Sequence, residues 1–373
     1  MSNYSTVASL NSDILNLFDK FIQINNNNEN SCNMDICSIL NVLKFIYNGT
    51  ADNKRKDLDK TNLSKIVKMA PQAQDSRVGI LIRNDYKYNE DFKNINKNKA
   101  YIGTIPTNEI EIERINRLIN KKYPKWLEHT NEKFLLEFIP SNIYLYIKDE
   151  SYFIGNWKNP FNPEDTYDDT FYCGNRKTKN IPMMKSSSSE YIDTYNCKDT
   201  NSLIIRLEYD NDYNMMIIMP NITHTKQELI NFYRKNLDGD KIINYISKLE
   251  SIKYIEKIMP KFKSKSEWEL NNSNINLSTD DDDKTPYLSK IFDKNMDFSN
   301  ISSTMKGVSE EMNLKMVSNI DNNEIGTTVL SEVMFYATDS IVKNPNVLIL
   351  NKSFIYMIMD KNNIITNFGL FVG

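Results

Sequence analysis

The sequence predicts an α+β fold, in which helices come first along the chain and β-strands predominate later. Amphipathic helical patterns fill the first third, and runs of aromatic and β-branched residues follow beyond Phe138. This order is typical of α+β proteins rather than of doubly wound α/β folds, in which strands and helices alternate. We expect a single domain over residues 1–373, because neither an internal repeat nor a linker divides the chain.

The predicted helices follow from apolar residues that recur on one face. The first runs from Asp13 to Gln23 and is broken by the polar residues 25–30. The second covers Ile36 to Tyr47 and is followed by Gly49, which suits a helix C-terminus. Two further segments have a helical period: Lys54 to Met69 and Glu109 to Asn120.

The predicted strands are short runs rich in β-branched, aromatic and other apolar residues. They are Val78 to Ile82, Ile143 to Ile154, Leu203 to Leu207, Met215 to Met219, Val347 to Met359 and Ile364 to Val372. The last two lie close together at the C-terminus, and we expect them to form a closing pair.

Composition excludes several classes of function. The formal net charge is only -3 and charges of both signs are mixed, so no basic surface predicts a nucleic-acid or membrane partner. We find neither a secretory signal nor a membrane-spanning segment. The four cysteines lack metal-ligand spacing and predict free thiols in a reducing compartment. We therefore expect a cytoplasmic protein without a metal.

An enzyme active site has no support in the sequence. The two histidines, His129 and His224, stand in polar surroundings without a nearby nucleophile signature. Hydrolase, zinc-protease, phosphate-loop and dinucleotide-binding motifs are absent, and only 10 glycines are available for a phosphate-binding loop. We expect neither a catalytic residue nor a cofactor.

The segment from Tyr152 to Met184 carries a specific pattern. It reads YFIGNWKNPFNPEDTYDDTFYCGNRKTKNIPMM, and this order resembles the central strand of the serpin fold and the segment that leaves it. Further segments resemble serpin elements in the same order along the chain: Ser38 to Ala51, Ile115 to Trp126, Leu207 to Tyr209, Met215 to Pro220, Met259 to Phe262 and Met296 to Ser302. The resemblance implies a monomer with helices packed around three β-sheets and an exposed reactive-centre loop.

The resemblance also identifies the two ends of that loop. Asp321 to Thr328 reads DNNEIGTT and is similar to the serpin hinge motif Asn-Glu-Glu-Gly-Thr. The implied hinge residues are Glu324, Gly326, Thr327 and Thr328. The far anchor is Asn351 to Phe354, with Ser353 where serpins usually have proline. In serpins a protease cleaves this loop, whose N-terminal half then inserts into the main sheet and distorts the bound protease.

Insertion as a strand requires that alternate side chains enter the core. With Thr327 facing inward, the outward face carries Glu332, the one charged residue of this stretch. The inward residues that follow Thr327 are Val329, Ser331, Val333 and Phe335. The alternation therefore permits insertion.

The predicted reactive bond is Asp339-Ser340. Asp339 stands fifteen residues after Glu324, as in intracellular poxviral serpins of the cytokine response modifier A type, whose recognition sequence ends in Asp. Specificity would come from Tyr336, Ala337 and Thr338, which lead to the Asp. The usual serpin spacing would instead place Ser340 before the cut, and Tyr336 or Lys343 would suit other proteases.

The resemblance thus implies a suicide inhibitor of a host cytosolic Asp-directed protease, an inflammatory caspase or granzyme B. A virus would use it to dampen cell death or inflammation. The chain is rich in residues with AT-rich codons, which fits an AT-rich genome such as many large DNA viruses carry; these residues are Asn, Ile, Lys, Tyr and Asp. Bulky residues at Val329, Leu330 and Val333, and Ile325 in place of an acid, keep an alternative open. In that alternative the chain is a non-inhibitory serpin-fold protein that binds a viral or host protein.

Overall fold

The computed structural model describes residues 2–25, 31–71, 74–130, 133–275, 284–305, 312–328 and 347–373. These residues divide into two compact units. The first unit comprises Met1–Ile36, Phe153–Glu269 and Lys315–Gly373. The second comprises Cys37–Tyr152 and Leu270–Leu314.

The elements follow the predicted order, with most helices early and most strands late. The helices are α1 (Ser2–Asn25), α2 (Ile36–Gly49), α3 (Asp52–Asp59), α4 (Leu63–Met69), α5 (Glu90–Asn96), α6 (Glu109–Lys122), α7 (Pro124–Thr130), α8 (Lys226–Asn236), α9 (Gly239–Ser247), α10 (Asn272–Ile275) and α11 (Pro286–Ile291). The strands are β1 (Cys32–Asp35), β2 (Asp75–Ile82), β3 (Tyr101–Thr104), β4 (Leu145–Tyr152), β5 (Ile154–Asn156), β6 (Tyr167–Tyr172), β7 (Thr178–Ser186), β8 (Glu190–Cys197), β9 (Ser202–Glu208), β10 (Asn214–Pro220), β11 (Glu250–Tyr254), β12 (Glu256–Pro260), β13 (Phe262–Asn271), β14 (Asn313–Asn322), β15 (Gly326–Thr328), β16 (Val347–Ile349), β17 (Phe354–Met359) and β18 (Ile365–Phe371).

Three sheets build the first unit. A seven-stranded sheet has the order β1-β18-β17-β10-β9-β8-β11, and two four-stranded sheets have the orders β16-β12-β7-β6 and β13-β14-β15-β5. Their buried faces share one apolar cluster that includes Trp157, Tyr209, Ile217, Phe262 and Phe354. Strands β10, β17 and β18 are buried along almost their whole length, which explains their nearly continuous apolar sequences.

The second unit contains the three-stranded sheet β3-β2-β4. Helix α6 contributes Ile115 and Ile119 to the apolar cluster of this unit. Arg77 of β2 is a buried cation: its Nε donates to Glu150 at 2.5 Å, and its guanidinium carbon lies 4.2 Å from the centre of the Trp126 ring. The pair and the aromatic ring compensate the desolvation of this charge.

The described strands form four hydrogen-bonded sheets where the resemblance implied three. The reason lies in the strand predicted for Ile143 to Ile154, which is two strands. β4 pairs with β2, whereas β5 pairs with β15. The segment Lys54 to Met69 likewise forms two helices, α3 and α4, rather than one.

Candidate functional site

The hinge predicted from the sequence forms a short strand. β15 lies between β14 and β5 and is antiparallel to both. Thr327 is opposite Asn322 on one side and Gly155 on the other. The chain reverses direction between β14 and β15, where the Asn323 amide donates to the Gly326 carbonyl at 2.9 Å. The first three residues after the turn therefore already occupy a place in a sheet.

Glycine is required where β15 meets β5, because the two backbones approach closely. A Cβ on Gly326 would lie 2.0 Å from the Gly155 carbonyl oxygen and 2.6 Å from the Asn156 Cα. A Cβ on Gly155 would lie 2.8 Å from the Tyr209 ring. These contacts involve backbone or enclosed rings, so a side chain at either position would displace the hinge strand.

Thr327 points into the core and is fully buried. The Tyr209 hydroxyl donates to Thr327 Oγ1 at 2.7 Å, and Thr327 Oγ1 donates to Asn322 Oδ1 at 3.0 Å. Asn322 Nδ2 in turn donates to the Pro260 carbonyl at 3.0 Å. Burial raises the pKa of Tyr209 far above its usual range, although the Thr327 hydrogen bond opposes this. The phenol therefore stays protonated and serves as a donor.

Glu324, the acidic residue of the hinge, is held by two side chains. Lys261 Nζ lies 2.9 and 3.0 Å from the two carboxylate oxygens, and Thr166 Oγ1 donates at 2.7 Å. Burial alone would raise the pKa of Glu324, but the hydrogen bonds from Lys261 and Thr166 outweigh it and leave the pKa below its usual value. The carboxylate is charged at neutral pH, and it anchors the turn that precedes β15.

Trp157 fixes the carbonyl groups of the same turn. Its backbone amide donates to the Ile325 carbonyl at 2.7 Å, and its indole Nε1 donates to the Asn323 carbonyl at 3.0 Å. The indole stacks on the Tyr209 ring at 4.6 Å. Ile325, which replaces the usual acid, is largely exposed, so this departure has little cost for the local fold.

The remaining site residues predicted from the sequence lie outside the described residues. These are Tyr336, Ala337, Thr338, Asp339 and Ser340. After this stretch the chain returns as β16, which pairs in parallel with β12. Ser353, in the place of the usual proline, donates from its hydroxyl to the His224 carbonyl at 2.6 Å.

Sequence reasoning missed the partners of the hinge. Tyr209 and Lys261 belong to segments that resemble serpin motifs, but no role followed from their position in the chain. The pairs Tyr209–Thr327 and Lys261–Glu324 are 118 and 63 residues apart in sequence. Only the two serpin-like motifs themselves, Leu207 to Tyr209 and Met259 to Phe262, could have directed attention to them.

No helix in the described part of the chain is long and apolar enough to cross a membrane. Within the same described ranges, no group of three or more His, Cys, Asp or Glu side chains is arranged to hold a metal ion. The four cysteines are buried and form no disulfide.

Curated relatives share low but extended similarity with the chain. Alpha-1-antiproteinase of Mus caroli is 23% identical over 303 residues, covering 79% of this chain and 66% of its own length. A serpin-like protein of Methanosarcina acetivorans is 22% identical over 302 residues, covering 74% and 68%. The chain thus spans about two thirds of the length of these relatives.

Solved structures show the same fold. The structure described as cleaved Serpin 42Da superposes with a TM-score of 0.73 at 16% identity, covering 98% of both chains. A thyroxine-binding globulin complex with thyroxine has a TM-score of 0.68 at 15% identity, again covering 98% of both.

The family assignment rests on a match over most of the chain. The family described as Serpin (serine protease inhibitor) matches residues 36–373, and this confirms the family and the fold implied by the sequence motifs. The chain belongs to the serpin family.

Proposed function

We propose that the chain is a suicide inhibitor of a cytosolic protease that cleaves after Asp. One observation carries this proposal: the first residues of the loop are already paired as strand β15 between β14 and β5. The sheet thus accepts the loop at its hinge, with Thr327 facing inward as insertion requires. Serpins as a family are described as protease inhibitors, which supports an inhibitory rather than a catalytic role.

The proposed reaction begins with attack on the Asp339 carbonyl by the nucleophile of the protease. The Asp339-Ser340 peptide bond breaks, the Asp339 acyl group stays on the protease, and Ser340 leaves as a protonated amine. The freed end of the loop then extends β15 along the sheet from Thr328 onward. The protease is carried with it before the acyl bond can be hydrolysed.

Asp339 gives the proposal its target class. A protease pocket that binds an Asp side chain pairs the carboxylate with Arg side chains, and Tyr336 three residues earlier suits inflammatory caspases. Granzyme B is a second Asp-directed candidate. The connection from α4, which ends at Met69, to β2, which begins at Asp75, leaves no room for a full helix, as in the poxviral serpins of the cytokine response modifier A type. We therefore propose a viral inhibitor that acts in the host cytosol as a monomer and dampens cell death or inflammation.

A second candidate function is binding without inhibition. The residues that follow the hinge include the bulky Val329, Leu330 and Val333, which would slow insertion. The fold also occurs in a thyroxine-binding globulin, whose structure contains thyroxine. In this alternative the chain binds a viral or host protein through its surface, and its loop does not inhibit a protease.

The test is incubation of the purified protein with an inflammatory caspase, granzyme B and a chymotrypsin-like protease. Residual protease activity, the cleaved bond by mass spectrometry and the melting temperature after cleavage are measured together. We expect loss of activity of an Asp-directed protease, a cut after Asp339 and a large rise in melting temperature. Active protease, clean cleavage and an unchanged melting temperature would leave the binding protein as the better account.

Two variants separate specificity from insertion. Asp339→Ala removes the recognised side chain, and we expect it to abolish both cleavage and inhibition by the Asp-directed protease. Thr327→Arg places a charge where the wild-type side chain is fully buried, so we expect cleavage to continue while inhibition is lost. A Thr327→Arg variant that inhibits as well as the wild type would contradict insertion through this site.

A further inference from the structure

The buried face of strand β14 alternates between polar and apolar side chains. Its inward residues, in chain order, are Met316, Ser318, Ile320 and Asn322. Strand β15 pairs with β14 only at Asp321 and Asn322, so the three earlier inward residues have no neighbour on β15. They lie along the edge that a longer inserted loop would follow.

The Ser318 hydroxyl ends a buried chain of hydrogen bonds. Ser266 Oγ donates to Asn33 Oδ1 at 3.1 Å, and Asn33 Nδ2 donates to Ser318 Oγ at 2.6 Å. Asn33 is itself fixed, because its backbone carbonyl accepts from the Trp268 indole at 2.9 Å. Ser318 Oγ accepts from Asn33 but donates to none of the described residues. A hydroxyl carries one donor, so this side chain, which is only 3% exposed, can still donate one hydrogen bond.

The hairpin between β14 and β15 fixes how the loop would continue along the sheet. Thr327 is opposite Asn322, and Thr328 is opposite Asp321. In an antiparallel pair, each further residue of one strand meets the preceding residue of the other. Continuation without a bulge places the inward residues of the loop in three pairs: Val329 opposite Ile320, Ser331 opposite Ser318 and Val333 opposite Met316. Residues 329–333 themselves lie outside the described residues.

This register pairs polar with polar and apolar with apolar side chains at each of these inward positions. Thr327 Oγ1 already donates to Asn322 Oδ1 at 3.0 Å across the first such pair. Ser331 would form the second polar pair, with Ser318, since the Cβ atoms of directly opposite residues lie about 4.5–5.5 Å apart. The two valines would meet buried apolar side chains of β14.

Shifted registers lose this match. A shift by two residues keeps the same side chains inward but places Ser331 opposite an apolar residue and Ser318 opposite a valine, so buried hydroxyls lack partners. A shift by one residue turns every side chain to the other face and brings the charge of Glu332 into the core. In the unshifted register Glu332 lies opposite Val317, which is 55% exposed and therefore on the solvent face.

We propose that Ser318, held by Asn33, is a positioning residue that receives Ser331 and fixes the register of the inserted loop. The Ser318 hydroxyl donates to Ser331 Oγ, which extends the buried chain from Ser266 through Asn33 by one member. Buried polar networks of this kind rigidify a core when every member is satisfied. The inference rests on the proposed insertion of the loop, and it adds the side chains that determine where each loop residue lies.

The first experiment traps the register by disulfide formation. The double variant Ser331→Cys with Ser318→Cys is cut at one bond within residues 336–346 by limited proteolysis under reducing conditions and is then oxidised. Continuation of the hairpin makes 331 and 318 a non-hydrogen-bonded pair, whose Cα atoms lie about 4.5 Å apart and suit a disulfide. We expect mass spectrometry to find the 331–318 disulfide in the cut protein and not in the uncut protein. Ser331→Cys with Met316→Cys represents a two-residue shift, and this matched control should form about tenfold less cross-link.

The second experiment tests the hydroxyl pair itself, by hydrogen exchange of residues 329–333 in the cut protein. Ser331→Ala removes one buried hydrogen bond, so we expect the exchange rate of this segment to rise about fivefold. Ser318→Ala should raise the rate at least as much, and the effect of the double variant should fall short of the product of the single effects by about fivefold. Glu332→Ala is the matched control, because that side chain faces solvent in this register, and its exchange should equal that of the wild type.

The possible outcomes separate this proposal from the proposed function. Free exchange of residues 329–333 in the cut wild type would overturn insertion, and the register site with it. Protected residues 329–333 together with a cross-link in the shifted pair, or with independent effects of the two serines, would overturn the register site alone. Melting temperatures of the uncut variants establish that each variant is folded.

Discussion

The hydroxyl of Tyr209 is the clearest place to test whether the hinge strand is held by its buried hydrogen bonds. Tyr209→Phe keeps the ring that stacks on Trp157 and removes only the donor to Thr327. A buried hydrogen bond between uncharged groups contributes about 1 kcal/mol net. We therefore expect the local opening equilibrium of β15 to increase about fivefold, since 1.4 kcal/mol corresponds to about tenfold.

Thr327→Val has the same shape as the wild type but leaves two groups unsatisfied. The Tyr209 hydroxyl loses its acceptor and Asn322 Oδ1 loses its donor, so we expect a larger effect of about 2 kcal/mol. The double variant Tyr209→Phe with Thr327→Val lacks the Tyr209 hydroxyl that Thr327→Val alone leaves without an acceptor. The loss of β15 stability in the double variant should therefore be smaller than the sum of the two single losses by about 1 kcal/mol.

The assay is hydrogen exchange by mass spectrometry on peptides that contain residues 326–328, since exchange reports local opening. Tyr191→Phe is the matched control, because that tyrosine is 68% exposed, and its exchange should equal that of the wild type. Unchanged exchange of β15 in Tyr209→Phe, or strictly additive effects in the double variant, would refute the reasoning.

Three further predictions concern single residues. Glu324→Gln should lower the unfolding free energy at pH 7 by about 1–3 kcal/mol. Because the folded-state pKa of Glu324 is lowered, its contribution to stability is present above the unfolded pKa of about 4.3 and is lost as the pH falls through the folded value. The difference in melting temperature between the variant and the wild type should therefore shrink below about pH 4, and a pH-independent difference would contradict this. Arg77→Met should destabilise the second unit by about 2–4 kcal/mol, because it breaks a buried ion pair and a cation–π contact. The free energy of unfolding is measured by chemical denaturation. A change below about 0.5 kcal/mol would show that the ion pair makes no net contribution to stability. Gly326→Ala should displace β15 from its place beside β5, because the added Cβ would clash with the β5 backbone. This displacement would be measured as a loss of hydrogen-exchange protection at Thr327 and Thr328. Retained protection would show that β5 can move to accommodate the side chain.

Elements whose signal is local could be predicted from the sequence. The helix predicted for Glu109 to Asn120 is observed as α6, two residues longer, because its apolar stripe is regular and Asn108 accepts from the Glu111 amide at its start. The strand predicted for Met215 to Met219 is observed as β10, one residue longer at each end. In β10 all the residues of the predicted strand are buried, and in α6 two residues of the apolar stripe, Ile115 and Ile119, are buried.

Elements that depend on distant partners could not be predicted. The strand predicted for Val347 to Met359 is divided into β16 and β17, because residues 347–349 pair with β12 while residues 355–359 pair with β10. At the hinge the motif predicted a set of residues but not the side chains that contact them. The contacts of Glu324 with Lys261 and of Thr327 with Tyr209 join segments that are far apart in sequence, and they form only when the chain folds.

The bulky residues after the hinge affect the rate of insertion differently from its end point. Among the inward residues Thr327 and Ser331 are polar, and Thr327 already has polar partners. The other inward residues, Val329, Val333 and Phe335, are apolar, and burying each contributes about 1.5–3 kcal/mol, which offsets part of the about 1–2 kcal/mol lost on ordering each inserted backbone residue. Under the proposed mechanism these side chains favour the inserted state as an end point, while their width slows entry between the strands. It follows that a large rise in melting temperature after cleavage, together with an active protease, would indicate an inserting loop that is too slow to trap this protease. An unchanged melting temperature would instead indicate that the loop does not insert because the sheet does not open.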